Sequence, residues 1–394
     1  MNNRTIPVFY ACDDTFVKYT IVSISSLIKN ASRDFDYRIY ILHTSISDRM
    51  KSELEKLQTN NVTISFVNVE SRLAAISESM PIRDYYSKTT YYRLFIAEAF
   101  PGYDKAVYID SDTVVQGDIS ELYKTDLGDS YVGACHEQAM VQVDEYGTYA
   151  ERVVGISRHE FFNAGILLIN CRAFREKRIL EQFVRLLGEY NFVVTQDEDY
   201  LNIICRDRVV WLDQRWNTEV FGEIGYPTKE ANIIHYIMTS KPWHYADCRH
   251  ADIFWGYAKD TSVYGEIKAE LDAYTDEQRK NDEQICENLM KLAIKETNRE
   301  DNYLNRLNST VRSADRVAIV KKIEEYESAG KFDIDAEDDP PSRTLMPDEI
   351  KYVKKGIFSR IKTAVAFGAA RLFARKLMRR GELIIKEIRG IEHF

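Results

Sequence analysis

Asp110 and Asp112 stand at the end of the apolar run 105–109 with Ser111 between them. If the strand continues through them, both side chains fall on one side and offer hard oxygen ligands to a single divalent cation, which could hold a diphosphate. Taken alone, Asp-Ser-Asp reads better as a turn capping the next element. Three other stretches carry comparable chemistry. Asn163-Ala164-Gly165 joins an amide to a glycine that lets another group approach the backbone, or else marks a bulge in a core strand. Asp197-Glu198-Asp199, directly after Gln196, supplies acids at a helix start, where the helix dipole alone would favour them. His235, ending an apolar strand, is either a packed histidine or a third ligand beside two carboxylates, a donor set that suits Mn2+. Each feature is weak by itself, and it is their conjunction that points to a metal-assisted site.

Such groups need a scaffold that brings them together. Residues 6–12, 37–43 and 62–67 read as strands, with helices at 16–30, introduced by Asp13-Asp14-Thr15, and at 47–58, capped by Ser47. This βαβαβ rhythm predicts a twisted, mostly parallel sheet with helices on both faces, whose ligands gather at the carboxyl ends of the strands. Next come a helix at 90–100, the strand 105–109 buried among parallel neighbours, a helical turn at 119–123 and a strand at 131–135. Residues 137–158 are polar and aperiodic, and read as a long lid or substrate loop. A strand at 161–170, helices at 171–190 and 200–205, and strands at 209–212 and 232–235 complete the body. From 264 the chain turns into charged helical segments, and 333–342 is acidic and interrupted by proline, as a linker would be. The expected organisation is an α/β catalytic domain over 1–263, a helical extension over 264–332, an acidic linker over 333–350 and a basic helical tail over 351–394.

With 394 residues, 45% of them hydrophobic, the chain can bury a large core. Its net charge of −9 argues against a general nucleic-acid binder. The charge is uneven: from Lys351 onward twelve Lys/Arg face three Glu, a local +9, which leaves −18 on residues 1–350. A polybasic segment gains roughly 1 kcal/mol per Lys/Arg near an anionic membrane, so the tail reads as a membrane contact, with a packed or self-associating appendage as the alternative. The six cysteines form no C-x-x-C pair, which fits a reduced, cytoplasmic setting. The chain enters a strand at residue 6, leaving no room for a signal peptide, and no run approaches the roughly 20 apolar residues of a membrane span. Any membrane association is therefore expected to be peripheral, at the inner face.

Six stretches, taken in order, carry a resemblance to a known family: Ala11-Cys12-Asp13-Asp14, Tyr91-Tyr92-Arg93-Leu94, Tyr108-Ile109-Asp110-Ser111-Asp112, Phe162-Asn163-Ala164-Gly165, Gln196-Asp197-Glu198-Asp199, and His235-Tyr236 followed by Lys241-Pro242-Trp243-His244. From about Val8 to about Asp247 the chain resembles the retaining glycosyltransferases of family 8, which include bacterial lipooligosaccharide galactosyltransferases and glycogenin. The resemblance implies a GT-A-type fold in which Asp110, Asp112 and His235 coordinate Mn2+, with Mg2+ as the second choice, and the metal bridges the diphosphate of a UDP-sugar. It further implies that Ala11, Asp13 and Phe16 meet the nucleotide, Asp13 at the uracil edge and Phe16 by stacking. Ser111 belongs to the same nucleotide-sugar site; Arg93, Asn163 and Asp197 would hold the donor sugar's hydroxyls and Lys241 the diphosphate.

This chain departs from the family pattern at Glu198, where relatives commonly carry Gln, and at Met238, where they often carry Gly. A carboxylate at 198 could act as a nucleophile or stabilise an oxocarbenium-like centre. The latter is preferred, with the acceptor attacking on the face from which the diphosphate leaves. Met238 is expected to keep the backbone farther from the diphosphate.

The expected function is transfer of glucose or galactose from its UDP derivative to a glycan or glycolipid acceptor. The alternatives are a self-glucosylating primer like glycogenin and a non-catalytic scaffold that binds nucleotide sugar or membrane.

Overall fold

A computed structural model defines residues 4–73 and 88–309. The stretch 333–350, the tail 351–394 and the helical extension beyond 309 lie outside the described residues.

The opening rhythm is observed. β1 (Thr5–Ala11), β2 (Asp36–His43) and β3 (Val62–Asn68) are parallel, with helices Val17–Asn30 and Asp48–Glu55 between them. Every residue of β1 after Thr5 is buried, because the strand is covered on both faces. Its side chains alternate between two cores: Ile6, Val8 and Tyr10 feed one, Phe9 and Ala11 the other. β4 (Ala106–Ile109) lies parallel to β1 on its other side. With β6 (Val132–Ala134), β7 (Ile166–Ile169) and β8 (Val209–Trp211) it completes a seven-stranded sheet ordered β3-β2-β1-β4-β7-β6-β8.

Two departures from the expected sheet build the site. β4 was expected among parallel neighbours, but β7 runs antiparallel to both β4 and β6. The carboxyl end of β4 therefore meets the amino end of β7, and Asp110 N donates to Gly165 O at 2.8 Å. The strand also stops at Ile109, so strand alternation is not what aligns the two aspartates. Asp110-Ser111-Asp112 forms the link to β5 (Thr113–Val115), which pairs antiparallel with β10 (Ile233–His235) in a second, three-stranded sheet. β9 (Thr218–Glu219) is its other edge.

Residues 137–158 are helical rather than an open loop, with helices at Gln138–Gln142 and Asp144–Tyr149 and a wider turn at Ala150–Val154. Polar residues mask the period, yet Ala139, Met140, Tyr146, Tyr149, Ala150, Val153 and Val154 are all buried on one face. The helix expected at 171–190 is two, Cys171–Glu176 and Ile179–Glu189, broken where Arg178 takes φ +56°. The segment 90–100 is mostly a 3-10 helix, Lys88–Phe95, with a single α turn at Ile96–Ala99. The strand at 161–170 shortens to β7, because Asn163 to Gly165 leave the ladder to serve the site.

Helices Tyr264–Ala273 and Asp276–Thr297 belong to the compact unit that ends at Leu304. Glu270 pairs with Lys18 at 2.5 Å, and Leu289 and Ala293 join the core that holds Tyr146 and Tyr149. All six cysteines are free, and five of them are buried.

Candidate active site

The β4–β5 link and the end of β10 converge on one point. Antiparallel pairing sets His235 opposite Thr113, and Tyr236 N donates to Asp112 O at 2.9 Å, so the imidazole reaches both aspartates. His235 Nε2 lies 3.2 Å from Asp112 Oδ1 and 3.9 Å from Asp110 Oδ2, and one ligand atom from each of the three residues lies within 4.8 Å of the others.

The tautomer of that imidazole in its neutral form follows from a chain of amides. Asn163 Oδ1 accepts from the backbone N–H of Gly165 at 2.9 Å, which fixes the amide's orientation. The same oxygen accepts from Asn217 Nδ2 at 2.8 Å. Asn217 Oδ1 is then the atom that faces His235 Nδ1 at 3.0 Å, so Nδ1 carries the hydrogen and donates. Nε2 is left with its lone pair directed at two carboxylates. A lone pair among carboxylate oxygens is repelled unless a cation stands between them, and two oxygens plus one imidazole nitrogen fit a divalent ion.

Charge around this point is arranged in pairs. Arg93 is 4% exposed; its Nη2 lies 3.3 Å from Asp110 Oδ1 and its Nε 3.2 Å from Asp197 Oδ2, and it also donates to the carbonyls of Thr90 and Ala164. Burial disfavours this guanidinium's charge, but Asp110, Tyr108 and Asp197 outweigh it and raise its pKa. Its donors are thus engaged by protein, and Arg93 ties Asp110 to Asp197. Burial likewise opposes ionisation of Asp112. Lys241, 2.5 Å away, overcomes it and holds the carboxyl well below the usual range. Burial raises the pKa of Asp197 to about 6, with Arg93 opposing.

Glu198 accepts from Ala164 N at 2.7 Å. Burial first, then the nearby Glu137, push its pKa well above the ordinary value.

A pocket of about 390 Å³ joins these groups, lined among others by Ala11, Phe16, Arg93, Asp110, Ser111, Asp112, Asn163, Asp197, Glu198, His235 and Lys241. Ser111 is anchored by donating to Ala11 O at 3.0 Å. Asp13 is not among the lining residues; its Oδ1 accepts from the N–H groups of Thr15 and Phe16, ahead of the first helix. Met238 takes φ +56°, the left-handed conformation a glycine adopts readily, so the turn is kept despite the side chain. Glu137, Asn217, Glu219, Glu270 and Asp282 were not singled out from the sequence. Glu137, Glu270 and Asp282 line the pocket, while Asn217 and Glu219 stand behind it. No spacing marks an isolated Asn or a two-residue strand, although the periodic burial of 139–154 could have placed Glu137 at a helix start.

The sequence model of glycosyl transferase family 8 matches residues 7–247, more than half of the chain. Among curated relatives, a putative glycosyltransferase of Haemophilus influenzae is 29% identical over 267 residues, covering 64% of this chain and 77% of the relative. The lipopolysaccharide glucosyltransferase WaaO of Escherichia coli is 27% identical over 61% of this chain and 74% of its own length. Among solved structures, the galactosyltransferase LgtC in complex with donor and acceptor sugar analogs superposes with a TM-score of 0.52. It is 25% identical over 70% of this chain and 99% of LgtC. The fold is thus of the GT-A type.

Proposed function

The chain belongs to glycosyl transferase family 8, and from that premise we propose that it moves glucose or galactose from a UDP-sugar to a glycan or glycolipid acceptor with retention of configuration. The observation that carries this reading is the His235 lone pair aimed, with Asp110 and Asp112, at one point in the pocket. Those three residues would hold Mn2+, which when bound neutralises the diphosphate as leaving group. Lys241 brings an ammonium to the same charge. Phe16 offers a ring face to the base, and Asp197 and Asn163 bound the donor sugar, with Arg93 fixing Asp197. Asp13 serves the uracil edge with the oxygen its turn leaves over.

Glu198 enters this reading as a neutral acid, the hydrogen-bonding counterpart of the Gln that relatives commonly carry. A neutral acid is a poor nucleophile, which favours attack on the face the diphosphate leaves. The choice between glucose and galactose draws support from relatives of both kinds, WaaO and LgtC.

No helix of the described residues is long and apolar enough to cross a membrane. We assign the basic tail 351–394 to an anionic membrane surface on its charge alone. Liposome flotation of a chain truncated at Pro340 tests this; binding equal to that of the full chain removes the tail from the account.

The deciding experiment is a donor panel of UDP-glucose, UDP-galactose and their N-acetylated counterparts, with turnover followed with and without Mn2+. One hexose donor is expected to turn over only with metal, and Asp110→Asn to abolish turnover. If no donor is consumed, or if Asp110→Asn behaves as the parent, the enzymatic reading fails.

A further inference from the structure

Glu270 lies on helix Tyr264–Ala273, beyond residue 247 where the family match ends, yet it lines the pocket and has no place in the roles given above. Two donors tie it to the first helix, Val17–Asn30. Lys18 Nζ donates to Oε2 at 2.5 Å, and Tyr19 OH reaches both carboxyl oxygens at 2.7 Å. His244 Nε2 stands 3.6 Å from Oε1. Burial opposes the charge of Glu270, but His244, Lys18 and Tyr19 outweigh it and hold the carboxyl below its ordinary range.

Tyr19 carries this anchor to the site. Its ring stacks on Trp243 with centroids 3.7 Å apart and planes 13° from parallel, and Phe16 packs against it in a T-shaped contact at 5.5 Å. Trp243 is fully buried, so the stack backs the pocket instead of projecting into it. Two residues before Trp243, Lys241 Nζ pairs with Asp112 at 2.5 Å. Helix Asp276–Thr297 braces the same turn, since His244 stacks on Tyr274 at 4.0 Å and Tyr274 OH donates to Asp282 Oδ2 at 2.7 Å. Aromatic pairs tolerate a range of offsets, so stacking alone does not fix where two rings sit. A hydrogen bond to a carboxylate has a direction and does.

We propose that Glu270 is a positioning residue of the donor site, supplied by a helix outside the family match. It fixes the Tyr19–Trp243 stack, and through that stack it holds both the Phe16 ring and the turn that carries Lys241. The two sides of the nucleotide site, one on the first helix and one after β10, are thereby set against each other by a single carboxylate. The proposal rests on the transferase reading insofar as Phe16 and Lys241 are taken to meet the nucleotide.

The test titrates UDP into the full chain with Mn2+ by calorimetry. Glu270→Ala should weaken UDP binding by about tenfold or more, as loss of a hydrogen bond to a charged group does. Glu270→Gln keeps an oxygen for Tyr19 and should lose less. A lower melting temperature with parent-like UDP affinity in Glu270→Ala would make the residue merely structural and overturn the proposal. Equal losses in the two variants also overturn it, because the acceptor for Tyr19 would then not matter. If Glu270→Ala does not fold, Tyr19→Phe decides, since it keeps the ring and removes only the hydroxyl: weakened UDP binding supports the proposal and parent-like affinity overturns it. A readout without nucleotide comes from Trp243 fluorescence in a chain carrying Trp211→Phe, Trp216→Phe and Trp255→Phe. Acrylamide should quench Trp243 more in Glu270→Ala than in Glu270→Gln, and equal quenching overturns the link to the stack. If the parent binds no UDP, the transferase reading falls, while the quenching still reports whether Glu270 holds Trp243.

Discussion

Asn217 Oδ1 accepts the Nδ1 hydrogen of His235 at 3.0 Å, one link behind the nitrogen that faces Asp110 and Asp112. Removing that acceptor frees the imidazole to rotate or change tautomer. Asn217→Ala is expected to weaken Mn2+ binding by about 10–100-fold, as read by calorimetric titration in the presence of UDP. Parent-like affinity would show that the amide does not set the tautomer.

Gly165 is needed for close approach rather than for an unusual φ. A Cβ there would stand 2.3 Å from His235 Cε1 and 2.9 Å from Asp110 Oδ2, so both ligands would have to move. Gly165→Ala should cost about 1–3 kcal/mol of stability, as overpacking does, and should abolish Mn2+ binding in a chain that still melts cooperatively. Retained metal affinity would contradict the placement of β7 against Asp110.

If Glu198 works as a neutral acid, an amide should replace it. Glu198→Gln is expected to turn over donor within about tenfold of the parent, a change of at most about 1.4 kcal/mol in barrier. Glu198→Ala should fall further, because Ala164 N loses its acceptor. Mass spectrometry of stalled enzyme provides the counter-test, since a glycosyl adduct on Glu198 would establish it as a nucleophile and remove the same-face mechanism.

Asp199 is fully buried, and its Oδ2 accepts from Tyr149 OH at 2.9 Å and Thr195 N at 3.1 Å. Burial raises its pKa from 3.8 to about 7. Between those values the folded chain holds a proton that the unfolded chain has released. Its contribution to stability is therefore full below 3.8 and is lost as pH rises through about 7. Asp199→Asn removes this dependence, so its melting temperature relative to the parent should climb between about pH 4 and about pH 7. Parallel melting curves across that range would mean Asp199 is ionised in the fold.

Much of this protein was legible in its residues. The βαβαβ opening follows from apolar runs covered on both faces, and Asp110, Asp112, Asn163, Asp197 and His235 carry their chemistry in their types. The period of 139–154 was present too, hidden by polar residues between the buried ones. What local pattern could not supply is direction and partnership. Nothing in Ile166–Ile169 states that it runs antiparallel to its neighbours, because a fully buried strand has the same apolar composition either way. That reversal sets Gly165 against Asp110. The antiparallel pairing of Thr113–Val115 with Ile233–His235 carries the imidazole across 123 residues to Asp112. Asn217 gains meaning only from that second sheet, since a lone amide acquires a tautomer to set once burial leaves it no water to turn to.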